Sequence, residues 1–146
     1  MDVNHSLIMN LRDLGHMLRV LYEGKGSQKR VLILLHEFGT ITQRELTQRM
    51  GIQPGSASEV LGKLEYAGLI YREPSPEDKR TAQVCLTESG KIQAAEAARQ
   101  RECRHQEMFS CLSEEEKDIL LALLEKLNRD WISRYQDREK GMENHK

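Results

Sequence analysis

Long hydrophobic runs are missing from this 146-residue chain: the two longest, Val31 to Leu35 and Ile119 to Leu124, hold five and six residues. A membrane-spanning helix needs roughly 18. The N-terminus shows no basic-then-apolar leader. Cysteine is scarce, with three residues at no regular spacing, which argues against a secreted disulfide scaffold and for a reducing compartment. The expectation is a cytoplasmic protein that does not enter the membrane. An excess of charge is missing too. Lys and Arg number 22 against 23 Asp and Glu, for a net charge of −1; residues 28–81 hold eight basic and seven acidic side chains. That balance gives no composition-level support to nucleic-acid binding, so any such reading must rest on where individual charges sit. Catalytic signatures are absent as well: no phosphate-cradling glycine loop, no nucleophile elbow, no H-E-x-x-H helix. His5, His16, His36, His105 and His145 form no pair at chelating spacing. The sequence therefore predicts no enzyme, no metal site and no cofactor.

What is present is a chain of single-domain size, 38% hydrophobic and 31% charged, able to bury a core beneath an ionised surface. Leu7, Leu11, Leu14, Leu18 and Leu21 recur at steps of four and three along a helix expected over 6–23. Such a seam suits a helix lying on its own core as well as one pairing with another subunit. Gly24 and Gly26 break it. A second apolar helix is expected over 28–38, ending at Gly39. Thr40-Ile41-Thr42 reads as a short β-prone link, and Thr42 with Glu45 makes a T-x-x-E capping box that opens a third helix, 43–50. After Gly51 a fourth helix starts at Pro54 or, through a Ser56/Glu59 box, two residues later, and runs to Tyr66. Helix, short glycine-containing turn, helix is the helix-turn-helix outline.

The fourth helix has two distinct faces. Ala57, Val60, Leu61 and Leu64 fall at i, i+3, i+4 and i+7 and make an apolar stripe. The opposite face carries Gly55, Glu59, Gly62 and Tyr66, flanked by Ser58 and Lys63. Small residues permit close backbone approach, Ser and Lys suit phosphates, and Glu accepts from a cytosine amino group; a solvated surface helix is the plain alternative. Next come two short strands, Leu69 to Glu73 and Ala82 to Thr87, joined by a loop tipped with Asp78-Lys79-Arg80. Val84 and Leu86 alternate with Gln83 and Cys85, which predicts one buried and one wet face, with Cys85 on the wet side. A lone hairpin is marginal in water, so its inner face is expected to pack on the helix-turn-helix. Its basic tip then suits an adjacent minor groove, with Asp78 positioned to orient Arg80.

Thr87 caps a helix expected over 88–111, and Ser113 with Glu116 caps a last helix over 114–137. The final helix lines up Leu120, Leu123, Leu124, Leu127, Trp131 and Tyr135. Together with the N-terminal seam this is more apolar helix face than one small lobe can cover, and a second copy of the chain is the economical cover. Residues 138–146 are expected to form a charged, frayed tail.

The ordered set Gly68-Leu69-Ile70, Arg72, Asp78-Lys79-Arg80, Leu86-Thr87 and Gly90, following a helix-turn-helix, resembles the G-L-[IV]-x-R, D-x-R and L-T-x-x-G elements of the multiple-antibiotic-resistance regulator (MarR) family of bacterial winged-helix repressors. The resemblance runs from Gln28 to about Ser110. It implies a mainly α fold with a small β-hairpin: a winged helix-turn-helix lobe at 28–87, flanked by dimerisation helices at 1–24 and 88–137 of one MarR-type domain, 1–146. It implies a homodimer reading a pseudo-palindromic operator in double-stranded DNA as a transcriptional regulator, commonly a repressor, often released by a small-molecule effector. Carried to this chain, the recognition helix contributes Pro54, Ser56, Ser58, Glu59 and Lys63, and the wing contributes Asp78, Lys79 and Arg80, with Thr42 and Arg72 in support. Dimerisation falls to Leu7, Leu11, Leu14, Leu18, Leu120, Leu124, Leu127 and Trp131. Gly62 departs from the family, where a larger polar residue is usual.

Two rival readings accompany this one. A winged helix can bind another protein, and the near-zero net charge suits that use. A thiol- or metal-responsive regulator is the other, since Cys103, Glu107 and Cys111 share a helix face at i, i+4, i+8. However, i to i+8 spans about 12 Å, too far for both sulfurs to hold one ion. Cys103 and Cys111 are therefore expected to be buried and inert, and Cys85 has no assigned role.

Overall fold

The structure is a computed structural model describing residues 2–22, 24 and 26–143, with backbone alone for 137–143. In chain order the elements are α1 (Val3–Leu21), α2 (Gln28–Phe38), β1 (Ile41–Thr42), α3 (Gln43–Met50), α4 (Pro54–Tyr66), β2 (Ile70–Pro74), β3 (Ala82–Leu86), α5 (Glu88–Met108) and α6 (Glu114–Glu143). The chain divides into two compact units, Met1–Arg101 and Glu102–Lys146.

In the first unit, α2, α3 and α4 converge on one core. Val31, Leu32 and Leu35 of α2, Leu46 and Met50 of α3, and Val60, Leu61 and Leu64 of α4 close it with Ile70, Val84 and Ala94. The apolar stripe expected on the fourth helix, Ala57 included, is buried throughout. Each helix starts and stops by local chemistry. Ser27 Oγ accepts from Arg30 N at 3.0 Å, and Thr42 Oγ1 accepts from Glu45 N at 3.1 Å, satisfying first-turn donors that lack an intrahelical partner. The Thr42 box is half made, because the Glu45 carboxylate turns instead to Arg49 at 3.0 Å. Gln53 occupies the cap of α4 without a side-chain bond and Pro54 fills its first turn. The Ser56/Glu59 box therefore does not form: Ser56 lies inside the helix. Arg30 reaches across to donate to the carbonyls of Met50 at 2.9 Å and Arg49 at 3.1 Å, covering the acceptors left over at the end of α3.

At the end of α4 the chain reverses through Gly68, at φ +76°, a conformation disfavoured for any residue with a Cβ. Gly68 N donates to Glu65 O and Leu69 N to Leu64 O, both at 3.0 Å, the paired bonds of a Schellman stop that brings Leu69 onto Leu64. The hairpin is larger than expected. β3 lies between β1 and β2 in a three-stranded antiparallel sheet, with Ile41 opposite Val84 and Tyr71 opposite Cys85.

That central position overturns the wet face assigned to Cys85, which is only 4% exposed. A small thiol on the middle strand is shielded by the larger side chains beside it: Tyr71 is its register partner and Glu73 Oε1 lies 3.8 Å from its Sγ. A cavity of ≈290 Å³ opens beside it, lined by Leu35, His36, Gly39, Thr40, Tyr71, Cys85, Leu86 and Lys91. The hydrogen bond to Cys85, helped by the Glu73 carboxylate and opposed by the Lys91 ammonium, holds the Tyr71 phenol above its usual pKa.

The wing is fastened to α5 by Thr87. Its Oγ1 accepts from Gly90 N at 3.0 Å and donates to Gly68 O at 2.7 Å, while its backbone N–H donates to Leu69 O at 3.0 Å. No Cβ fits at Gly90, where one would stand 1.8 Å from the Leu69 carbonyl oxygen. Arg101 pairs with Glu37, joining α5 to α2.

Three helices differ from expectation in their limits. Asp2 Oδ1 accepts from Asn4 N at 3.3 Å, so α1 opens at Val3 and closes at Leu21. α5 ends at Met108, where the chain tightens into three-residue turns (Ser110 N to Glu107 O 3.2 Å, Leu112 N to Phe109 O 3.1 Å). The last helix continues to Glu143 instead of fraying from 138; residues 144–146 of the expected tail lie outside the described residues. The early end of α5 removes Cys111 from the helix face it was to share with Cys103. Both thiols are exposed, not buried. The Ser113/Glu116 box forms completely, at 3.0 and 3.1 Å.

Among the described residues no helix is long and apolar enough to cross a membrane. Neither α1 nor α6 buries a single described side chain. Leu7, Leu14 and Leu18 of α1 are exposed and Leu11 half-buried; Leu120, Leu124, Leu127 and Trp131 of α6 are exposed.

Candidate nucleic-acid interface

With its stripe buried, α4 turns outward a face of small and polar side chains: Gly55, Ser56, Ser58, Glu59, Lys63 and Tyr66 are all exposed. Lys63 and Glu59 approach to 3.8 Å, an exposed pair one helical turn apart that contributes little to stability. A shallow cavity of ≈370 Å³ lies where α4 passes the start of α2, lined by Gly26, Ser27, Gln28, Ser56, Glu59, Val60 and Lys63. Ser56, Glu59 and Lys63 of the expected recognition set thus share one surface. Pro54 serves as the exposed first residue of the helix.

The wing loop is built around Asp78. Its Oδ1 accepts from Arg80 N at 3.0 Å and Nε at 3.4 Å, and its carbonyl accepts from Thr81 N and Oγ1, both at 3.0 Å. Ser75 N donates to Thr81 O at 2.9 Å and closes the base of the loop. A carboxylate bonded to a backbone amide two residues on is a stable turn. The Arg80 side chain remains 93% exposed, its stem oriented and its outer nitrogens turned to solvent, with Lys79 beside it, exposed too.

Thr42 and Arg72 are employed inside the lobe. Thr42 caps α3, as above. Arg72 makes a two-pronged pair with Glu65 of α4 (Nε to Oε2 and Nη2 to Oε1, both 3.1 Å) and reaches Gln43 Oε1 with Nη1 at 3.4 Å. The fork holds the Glu65 carboxyl below its ordinary pKa and the guanidinium above its own. Gln43 Nε2 in turn donates to Ser58 Oγ at 3.3 Å. Gln43, Glu65 and Arg30 carry these braces and were not singled out from the sequence. The only signal for them was a polar residue at a helix start or flank, which a solvated position shows equally.

Among the described residues no group of three or more His, Cys, Asp or Glu side chains is placed to hold a metal. The site is one of hydrogen-bond donors, acceptors and exposed cations on a rigid helix and a hairpin.

A family model described as MarR family matches residues 27–82. The uncharacterised HTH-type transcriptional regulator YwhA of Bacillus subtilis is 30% identical over 97 residues, 66% of this chain and 70% of that protein. YdgJ of the same organism is 28% identical over 104 residues, 71% of this chain and 63% of its own length. Among solved structures, a cysteine-to-serine mutant of MarR from E. coli complexed with operator DNA superposes with a TM-score of 0.66 at 28% identity, covering 87% of this chain and 99% of that one. YusO from Bacillus subtilis shares the fold, with a TM-score of 0.62 at 22% identity over 88% and 99% of the two chains. With sequence, wing and helix order in agreement, the chain belongs to the MarR family of winged helix-turn-helix transcriptional regulators and is not an enzyme.

Proposed function

We propose that the protein is a cytoplasmic repressor that binds a pseudo-palindromic operator in double-stranded DNA as a homodimer. The observation that carries this reading is the pairing of α4's uncovered polar face with an Arg80 guanidinium that is anchored by Asp78 yet 93% exposed. A major groove admits an α-helix, and a minor groove attracts a guanidinium. Ser56, Ser58, Glu59 and Lys63 are the proposed groove and phosphate contacts of α4; Lys79 and Arg80 are those of the wing. The fold similarity to E. coli MarR solved with operator DNA supports this assignment. Homodimerisation is supported by the uncovered leucines of α1 and the leucines and Trp131 of α6. Release by a small effector is supported by the ≈290 Å³ cavity beneath the wing root, near the lower end of ligand-pocket volumes.

The test is duplex affinity across a salt series for wild type and Arg80→Ala. Wild type is expected to prefer one duplex and to weaken steeply with salt, with Arg80→Ala losing affinity and flattening the log–log slope by about one. An affinity indifferent to salt would instead mark the lobe as a protein-binding module.

A further inference from the structure

Beneath the outer face of α4 four side chains form one directed relay. Arg72 gives two donors to Glu65 and a third to Gln43 Oε1; Gln43 Nε2 donates to Ser58 Oγ. A guanidinium has donors only, so the end of the Gln43 carboxamide facing Arg72 must be its oxygen. The other end, facing Ser58, must then be the NH₂ group, which also only donates. Ser58 Oγ is consequently an acceptor inside the relay, and its own proton is not used there. A serine within a helix commonly returns that proton to the carbonyl four residues back. Among the described residues the Ser58 hydroxyl has no acceptor, and the side chain is exposed.

We infer that Arg72, acting through Gln43, sets the hydrogen-bonding sense of Ser58, so that α4 presents this hydroxyl to DNA as a donor and selects an acceptor there. The acceptors that fit this proton are guanine O6 and N7, adenine N7, thymine O4 and phosphate oxygen. Arg72 is on this account a positioning residue and not a phosphate contact, and Glu65 holds its guanidinium in the plane the relay needs. The inference rests on the DNA-binding reading above and adds the polarity of one contact to it.

The test is a double-mutant cycle on the full-length chain. The probe is the duplex that wild type enriches from a randomised library, set against a scrambled duplex of the same composition. Gln43→Glu keeps a partner for Arg72 but presents only acceptors, which turns the Ser58 proton inward. The charge it adds weakens binding equally with or without Ser58, so the non-additive part is what reports the relay. Ser58→Ala is expected to weaken the enriched duplex roughly fivefold, the order of one hydrogen bond. Gln43→Glu is expected to cost a further fewfold in the wild-type background that disappears in Ser58→Ala. A loss confined to the enriched duplex assigns the acceptor to a base edge; an equal loss on both duplexes assigns it to phosphate. Arg72→Leu is expected to show the same dependence on Ser58 while leaving the salt slope unchanged, whereas a phosphate-contacting arginine lowers it by about one. Melting curves of each variant verify that the lobe is folded. Strictly additive losses, or a lowered slope in Arg72→Leu, overturn the relay alone. A wild type that enriches no duplex overturns the regulator reading and the relay with it.

Discussion

Gly90 carries a steric demand that composition does not show. Its amide caps into Thr87 Oγ1, and its Cα faces the Leu69 carbonyl so closely that an alanine methyl would stand 1.8 Å from the oxygen. Both sides of that contact are backbone, so the first turn of α5 must move away from the root of the wing. Gly90→Ala is expected to destabilise the lobe by about 1–3 kcal/mol, the usual cost of overpacking, read as a lowered urea midpoint at unchanged m-value. The L-T-x-x-G pattern was legible in the sequence; that its glycine answers to a carbonyl 21 residues earlier was not, because the contact joins distant parts of the chain. Cys85 shows the reverse. Alternation placed it on a wet face, but alternation describes one strand at a time, and Cys85 owes its burial to the strands on either side.

At the scale of elements, the Arg72–Glu65 fork binds β2 to α4 and so ties wing to recognition helix. Because the fork depresses the Glu65 pKa from its ordinary 4.5, its contribution to stability is fully present above about pH 4.5 and is lost as the pH falls through the lower folded-state value. The pair is partly exposed, so the contribution is less than about 1 kcal/mol. Glu65→Gln is expected to melt slightly lower than wild type at pH 7, with the two melting temperatures converging as the pH is lowered below 4.5. The limits of α2, α3 and α4 follow from caps and glycines that sequence displays openly. Gln28–Phe38, Gln43–Met50 and Pro54–Tyr66 fall where those signals put them. The end of α5 was misjudged because Phe109 to Leu112 contains no Gly or Pro, and its turn is made by backbone and Ser110 hydrogen bonds.

For the whole molecule the decisive quantity is apolar surface that the single chain leaves wet. α1 and α6 bury none of their described side chains, although both present leucines at helical spacing. Exposed apolar helix stripes of this extent mark an interaction surface. Sedimentation at micromolar concentration is expected to give twice the 16.9 kDa chain mass. Leu124→Glu, which places a charge within the stripe of α6, is expected to shift that equilibrium toward monomer and to cost operator affinity with it, since a palindromic site needs two lobes. A folded wild-type monomer under those conditions would sink the dimer.

The limits of α2, α3 and α4, the helix-turn-helix, and the wing with its Asp78-Lys79-Arg80 tip were readable from the residues alone, because caps, glycines and hydrophobic period are local signals written within a few residues of where they act. Contacts between distant segments were needed to establish that Ile41–Thr42 supplies a third strand, that Cys85 is covered, that Cys103 and Cys111 are exposed, and that Arg72 is held by Glu65 and Gln43. Those depend on which distant segments meet, and a periodic pattern states that a face is apolar or polar without stating what lies against it.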